Sequence, residues 1–269
     1  MRKHTSKVVK VEFVPNHMGQ LQPHVKVERL KSGPNHIRVI VLPDVKTLLT
    51  MGLHHHDRVV LKTSAHGEVE IAEVDPAHRS PYDAKLVPPT ECPNCKAKLV
   101  RQGRHLYCSE PDTCEGVMFS RLHRFIGEQG MEIERLSDYQ LRVLSESKLL
   151  KRASDLMQLD KLSHRLLMIP STSKELVDFI RLMIESAVQL PTHRVLYALG
   201  VADLSPDTCE RLCEGKSLLT VSKLTIEELK PYLPTEEQLR LFTHYFQRNP
   251  ANWKRDYENL KHLNCMNNP

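Results

Sequence analysis

Residues 92–114 read CPNCKAKLVRQGRHLYCSEPDTC, and the rest of the chain is read outward from them. Twelve residues separate Cys95 from Cys108, and five separate Cys108 from Cys114. A Cys-x-x-Cys pair such as Cys92 and Cys95 sits on a tight knuckle from which both sulfurs reach one ion. A second pair on a short hairpin completes a tetrahedron. Leu99-Val100 and Leu106-Tyr107 supply the hairpin arms, turning near Gln102-Gly103. Four soft ligands, Cys92, Cys95, Cys108 and Cys114, specify structural zinc rather than a catalytic ion with an open position. The alternative is free or disulfide-bonded cysteines. An odd total of seven, four of them clustered, points away from a secreted disulfide framework and toward a metal site in a reducing cytoplasm. Lys96, Lys98, Arg101, Arg104 and His105 surround the cluster. They read either as a phosphate-facing patch or as the solvated surface of a very small module.

Upstream, the pattern is that of strands. Lys7 to Val14 alternates, with Val9, Val11 and Phe13 expected on one face; His24 to Leu30 alternates again, and Ile37 to Leu42 is a β-branched apolar run. Asp44 is positioned to cap a short helix reaching Met51. Arg58 to Lys62 and Glu68 to Val74 give two more strands around a turn at Ser64–Gly67. Five strands with a helix between the third and fourth is the element order of an OB barrel, assigned to residues 1–75. Pro76, Pro81, Pro88 and Pro89 mark 76–90 as a linker. The metal module takes 91–118, where the ion is expected to act as a rigid joint between the barrel and the helices.

Residues 119–269 read as helical. Ser120–Glu128, Ser137–Ser145, Ser173–Ser186, Pro206–Cys213, Thr225–Lys230 and Thr235–Phe246 carry apolar residues at three- and four-residue spacings. Repeated pairs of short helices suggest tandem helix–hairpin–helix units, so the fold class is multidomain α+β. The net charge of +5 permits nucleic-acid binding, and with aromatics at only 5% phosphate contacts are expected over base stacking. No apolar run approaches a membrane span and no secretory signal is read, so membrane association is not expected and a cytoplasmic location is. His54-His55-His56 reads as a surface loop, and Cys209 and Cys213 as helix packing. The chain holds no phosphate-binding loop, GxSxG or HExxH, and no Lys-x-Asp-Gly of lysine-adenylating nucleotidyltransferases.

Several local stretches match one family. Val87-Pro-Pro-Thr-Glu-Cys92-Pro-Asn-Cys95, Met131-Glu-Ile-Glu-Arg-Leu-Ser137 and Tyr197-Ala-Leu-Gly-Val201, with the strands from Val9 to Leu30, resemble the C-terminal half of bacterial NAD-dependent DNA ligase. The resemblance implies a chain that clamps nicked double-stranded DNA, in DNA replication or repair. NAD would be bound by an adenylating partner subunit that carries the nucleophilic lysine. Such a division is similar to the split ligases of some large tailed bacteriophages. It implies DNA contacts at His17, where the family has arginine, and at the hairpins. Arg135 and Ser137 take the glycine positions of the first hairpin, Met168 and Pro170 those of the second. Ser205 replaces a glycine in the third and Pro234 in the fourth. Proline has no N–H to offer a phosphate, so the first and third hairpins are the expected contacts. The alternative is a stand-alone DNA-binding accessory protein of repair or recombination that recognises DNA ends or junctions.

Overall fold

A computed structural model describes residues 2–32, 35–64, 69–133, 136–169, 172–248 and 250–268. The turn expected at Ser64–Gly67 lies largely outside them, as do Arg135 and Pro170. The chain divides into two compact units, Met1–Cys114 and Glu115–Pro269, within a mixed α+β architecture.

The first unit contains β1 (Arg2–Pro15), β2 (Leu21–Ser32), β3 (Asn35–Val41), α1 (Val45–Met51), β4 (Arg58–Thr63) and β5 (Val69–Asp75). The five strands form one antiparallel sheet in the order β3-β2-β1-β4-β5, and β3 and β5 also approach each other. Long β1 spans the sheet by pairing first with β4 and then with β2. Val8, Val25, Val27, Ile40, Val59, Leu61 and Ile71 fill the core with Leu48 and Leu53. The expected face of β1 needs one correction. Val9 is 46% exposed and Val8 is buried in its place, because the register shifts between Val8 and Lys10. An irregularity there resets the two-residue alternation, so Val11 and Phe13 still face the core. Asp44 caps α1 as expected, accepting the Thr47 N–H at 2.7 Å, and Gly52 ends the helix at φ +58°.

The proline-rich segment after β5 is fastened to the sheet. Arg79 donates to both carboxylate oxygens of buried Asp57 (2.6 and 2.7 Å) and to the Gly52 carbonyl. Asp83 reaches His56 at 2.9 Å, and Leu86 is buried in the core of the sheet. Proline removes N–H donors and favours extended backbone, but it does not prevent a segment from being held by its neighbours.

The second unit holds α2 (Glu115–Ile126), α3 (Asp138–Glu146), α4 (Leu159–Leu166), α5 (Lys174–Ser186), α6 (Thr192–Ala198), α7 (Pro206–Cys213), α8 (Leu218–Val221), α9 (Ile226–Leu229), α10 (Glu236–Thr243) and α11 (Pro250–Leu260). The consecutive pairs α2/α3, α4/α5, α6/α7 and α9/α10 each pack together. Hydroxyl residues start many of them: Ser137, Ser205, Ser217, Thr225 and Thr235 each accept an N–H of the first turn. Gly130 lets the chain fold back over α2, since a Cβ there would stand 2.6 Å from the carbonyl oxygens of Arg124 and Phe125. Arg124 joins the first and third pairs. It donates to the carbonyls of Tyr197 and Leu204 at 2.8 Å and lies 3.8 Å from the Tyr197 ring centroid.

α11 returns to the turn at Ala153–Gln158 through buried polar groups. Asp256 accepts from Arg152 (2.7 Å from Nε) and from the hydroxyls of Ser154 and Tyr245. Asp155 accepts from Arg255 (2.7 Å), Asn259 (2.8 Å) and the Lys151 and Arg152 N–H groups. Around them the rings of Tyr245, Phe246, Trp253 and Tyr257 pack edge to face or tilted.

Candidate metal centre

The knuckle is set by backbone geometry. The Cys92 N–H donates to the Ala97 carbonyl at 2.8 Å, and the Lys96 N–H to the Cys92 carbonyl at 3.0 Å. Lys96 takes the left-handed conformation (φ +62°) needed to close so tight a turn. β6 (Leu99–Gln102) and β7 (His105–Cys108) then form the expected hairpin, with Gly103 at φ +58° in its turn. Cys108 ends β7, and Cys114 immediately precedes α2.

These elements bring all four sulfurs within 4.8 Å of one another. Cys92 and Cys114 are 3.8 Å apart, and Cys95 and Cys108 are 3.4 Å apart, far beyond a disulfide bond. Burial alone would push the Cys92 thiol up, but the N–H groups of Cys95 and Asn94, with the neighbouring sulfurs, hold it below the ordinary thiol value. Burial drives Cys108 the other way. A cation centred among the sulfurs relieves that conflict, since each thiolate gains a direct ligand bond. The donor set fits a tetrahedral metal ion, and it is the only such cluster among the described residues.

The hairpin does not stand apart from the sheet. Cys108 donates its N–H to the Gly19 carbonyl at 2.9 Å, and Tyr107 bridges Gln20. Gln20 Nε2 and His105 Nδ1 hydrogen-bond at 2.7 Å. Arg104 pairs with buried Asp44 at 2.8 Å, while its carbonyl accepts the Lys46 N–H. Leu106 packs with Leu21 and Val45 beneath these bonds, with Leu99 and Phe13 alongside. The residues that dock the module, Gln20 and Asp44 above all, carried no metal-related sequence signal because they lie far from the cysteines along the chain.

The other sequence-selected residues scatter. Lys96, Lys98 and Arg101 are exposed on the metal module, with Lys96 Nζ donating to the Pro93 carbonyl at 3.2 Å. Arg104 is exposed but committed to Asp44. His17 sits in the turn between β1 and β2, where the Asn16 side chain accepts the N–H groups of Met18 and Gln20. Ser137 and Ser205 are helix caps on the second unit, Ser137 in a reciprocal capping box with Gln140. Their hydroxyls are thus engaged within the protein. The connection between α6 and α7 also places Gly200, Ala202 and Asp203 at positive φ, a costly conformation for the latter two. Each histidine of the 54–56 run is tied down: His54 to Gly52, His55 to Val9 and His56 to Asp83.

No family model matches the chain. Among curated proteins it is 24% identical over 226 residues to the DNA ligase of Clostridium tetani, covering 84% of this chain and 33% of that protein. The DNA ligase of Clostridium perfringens is 26% identical over 228 residues, covering 84% and 34%. That of Prosthecochloris aestuarii is 23% identical over 245 residues, covering 89% and 36%. The chain therefore spans about a third of the length of the relatives it matches. Across most of its length it is related in sequence to DNA ligases, and within that related region it gathers four cysteines close enough together to hold a metal ion.

Proposed function

We propose that this chain is a non-catalytic DNA-binding subunit of a divided NAD-dependent DNA ligase, clamping nicked duplex for an adenylating centre on a partner. The similarity to DNA ligases over 84% of the chain carries the reading. Other features support it. The sheet order, the approach of β3 to β5 and the position of α1 fit an OB barrel. Four packed helix pairs fit tandem helix–hairpin–helix units. The four-sulfur site suits structural zinc. On this proposal, lysine adenylation from NAD and AMP transfer to the 5′-phosphate belong to the partner.

In this reading the chain works by positioning. Exposed Lys96, Lys98 and Arg101, His17, and the first and third hairpins with Arg135, Ser137 and Ser205 engage the sugar–phosphate backbone. Because the Ser137 and Ser205 hydroxyls cap their own helices, the hairpins would donate through backbone N–H groups instead. Holding the 3′-hydroxyl and 5′-phosphate in line lowers the barrier through orientation. Backbone contacts carry little base information, so binding is structure-selective and salt-sensitive.

The test mixes the purified chain, a Lys-x-Asp-Gly adenylating subunit, NAD and a nicked duplex. Sealing only in the complete mixture supports the proposal. A sealing rate unaffected by this chain, alongside tight binding to DNA ends or junctions, supports the stand-alone accessory reading instead.

A further inference from the structure

The connection from α4 to α5 presents large apolar side chains to solvent. Met168 is 75% exposed and Leu167 44%, between Leu166, which is buried, and Ile169, which packs against the helical core. Single apolar residues scattered on a surface are ordinary, whereas an adjacent pair held out at a turn forms a contact surface. Among the described residues of this turn, the backbone donors are committed internally. The N–H groups of Leu167, Met168 and Ile169 go to the carbonyls of Ser163 (2.9 Å), Arg165 (3.3 Å) and Leu166 (2.9 Å), and that of Thr172 to Ile169 (2.9 Å). Pro170 has no N–H. These amides are not offered to a phosphate as those of a glycine-bearing hairpin are.

Cations flank the apolar tip on both sides. Lys161, His164 and Arg165 are exposed on α4, with Arg165 one turn beyond Lys161 on the same side of the helix. Across the turn, exposed Lys174 opens α5, and Glu175 beside it accepts its own N–H and the Ser173 hydroxyl. Such a tip is complementary to nucleic acid: the cations meet phosphates, and the apolar pair between them faces the bases. Methionine and leucine are among the residues with which DNA-bending proteins wedge base steps apart.

We propose that Leu167 and Met168 form a wedge that enters the nicked duplex at one base step and partly unstacks it, with Lys161, Arg165 and Lys174 holding the flanking phosphates. The inference rests on the DNA-clamping reading and adds a distortion to it. The second hairpin contacts DNA by apolar insertion instead of by phosphate capture, and the anchored side chains of Leu166 and Ile169 keep its tip rigid.

Nicked duplexes carrying 2-aminopurine at successive positions test it, since unstacking raises the fluorescence of that base; anisotropy of a labelled nicked duplex gives the affinity. With the full chain, emission rises at one step or at two adjacent ones. Met168→Ala alters an exposed side chain and leaves the melting temperature unchanged. It abolishes the rise and weakens binding about ten-fold at an unchanged salt slope. Met168→Lys adds a phosphate contact and steepens the salt slope by about 1, yet it too abolishes the rise. Arg165→Gln lowers the slope by about 1 and keeps the rise. Failure of the full chain to bind nicked duplex overturns the DNA-clamping reading and the wedge with it. Tight binding with no rise at any position, or a rise that persists in Met168→Ala, overturns the wedge alone. Weaker binding of Met168→Ala to an adenylating subunit, with DNA binding intact, also overturns it, by giving the tip to a protein.

Discussion

Replacing Cys108 with serine tests the metal centre most directly. Its sulfur lies 3.4 Å from that of Cys95, and its N–H is the 2.9 Å bond to Gly19 that joins hairpin to sheet. Structural zinc sites contribute about 10–16 kcal/mol in apparent binding energy, so one of four similar ligands carries about 2.5–4 kcal/mol. Cys108→Ser is thus expected to weaken zinc binding by about two to three orders of magnitude. Competition against a chromophoric chelator measures this, with Cys213→Ser as a control that leaves the metal untouched. Hydrogen exchange at the amide of residue 108 provides a second readout: the Gly19 bond opens more often once the ion is lost. Wild-type zinc affinity in Cys108→Ser would refute the four-thiolate assignment. Loss of zinc with unchanged amide protection would refute the coupling of the ion to docking of the hairpin.

Arg124 has 13% of its side chain exposed, and Arg124→Met orphans the carbonyls of Tyr197 and Leu204. A loss of about 2–4 kcal/mol is expected in urea denaturation. Burial raises the Asp155 carboxyl, but bonds from Arg255, the Lys151 N–H, Asn259 and the Arg152 N–H outweigh this and hold it below the ordinary carboxylate range. The resulting stability is present above the unfolded-chain pKa of about 4 and is lost as pH falls through the lower folded value. Circular dichroism melts should show this acid loss, and Asp155→Asn should flatten it. Lys98→Gln with Arg101→Gln, both exposed, should weaken nicked-duplex binding alike for all sequences and reduce the salt slope by about 2, read by fluorescence anisotropy. Leu106→Ala, which removes the apolar contact with Leu21 and Val45, should cost about 2–5 kcal/mol in chemical denaturation.

The strands and the sulfur site were legible for local reasons. Alternating valines and a Cys-x-x-Cys knuckle each satisfy their geometry within a few residues, and Asp44 announces α1 by itself. Val9 was misplaced because a register irregularity leaves no mark on hydrophobic periodicity. The helices α4, α6, α8 and α11 were not singled out. α8 has four residues and α6 seven, too few turns for a stripe to emerge. The attachment of Arg79 to Asp57 and of His105 to Gln20 depends on partners that only tertiary folding brings together. The charged patch on the hairpin divides for the same reason: Arg104 is held by Asp44, a commitment invisible beside Lys98 and Arg101 in a linear chain.

The aromatic cluster beside Asp256 contains the chain's single tryptophan, Trp253. Indole emission therefore originates within residues Glu115–Pro269, while the unit that carries the four-sulfur cluster has no tryptophan. Melting of the helical unit can therefore be followed by its own indole, without attaching a dye.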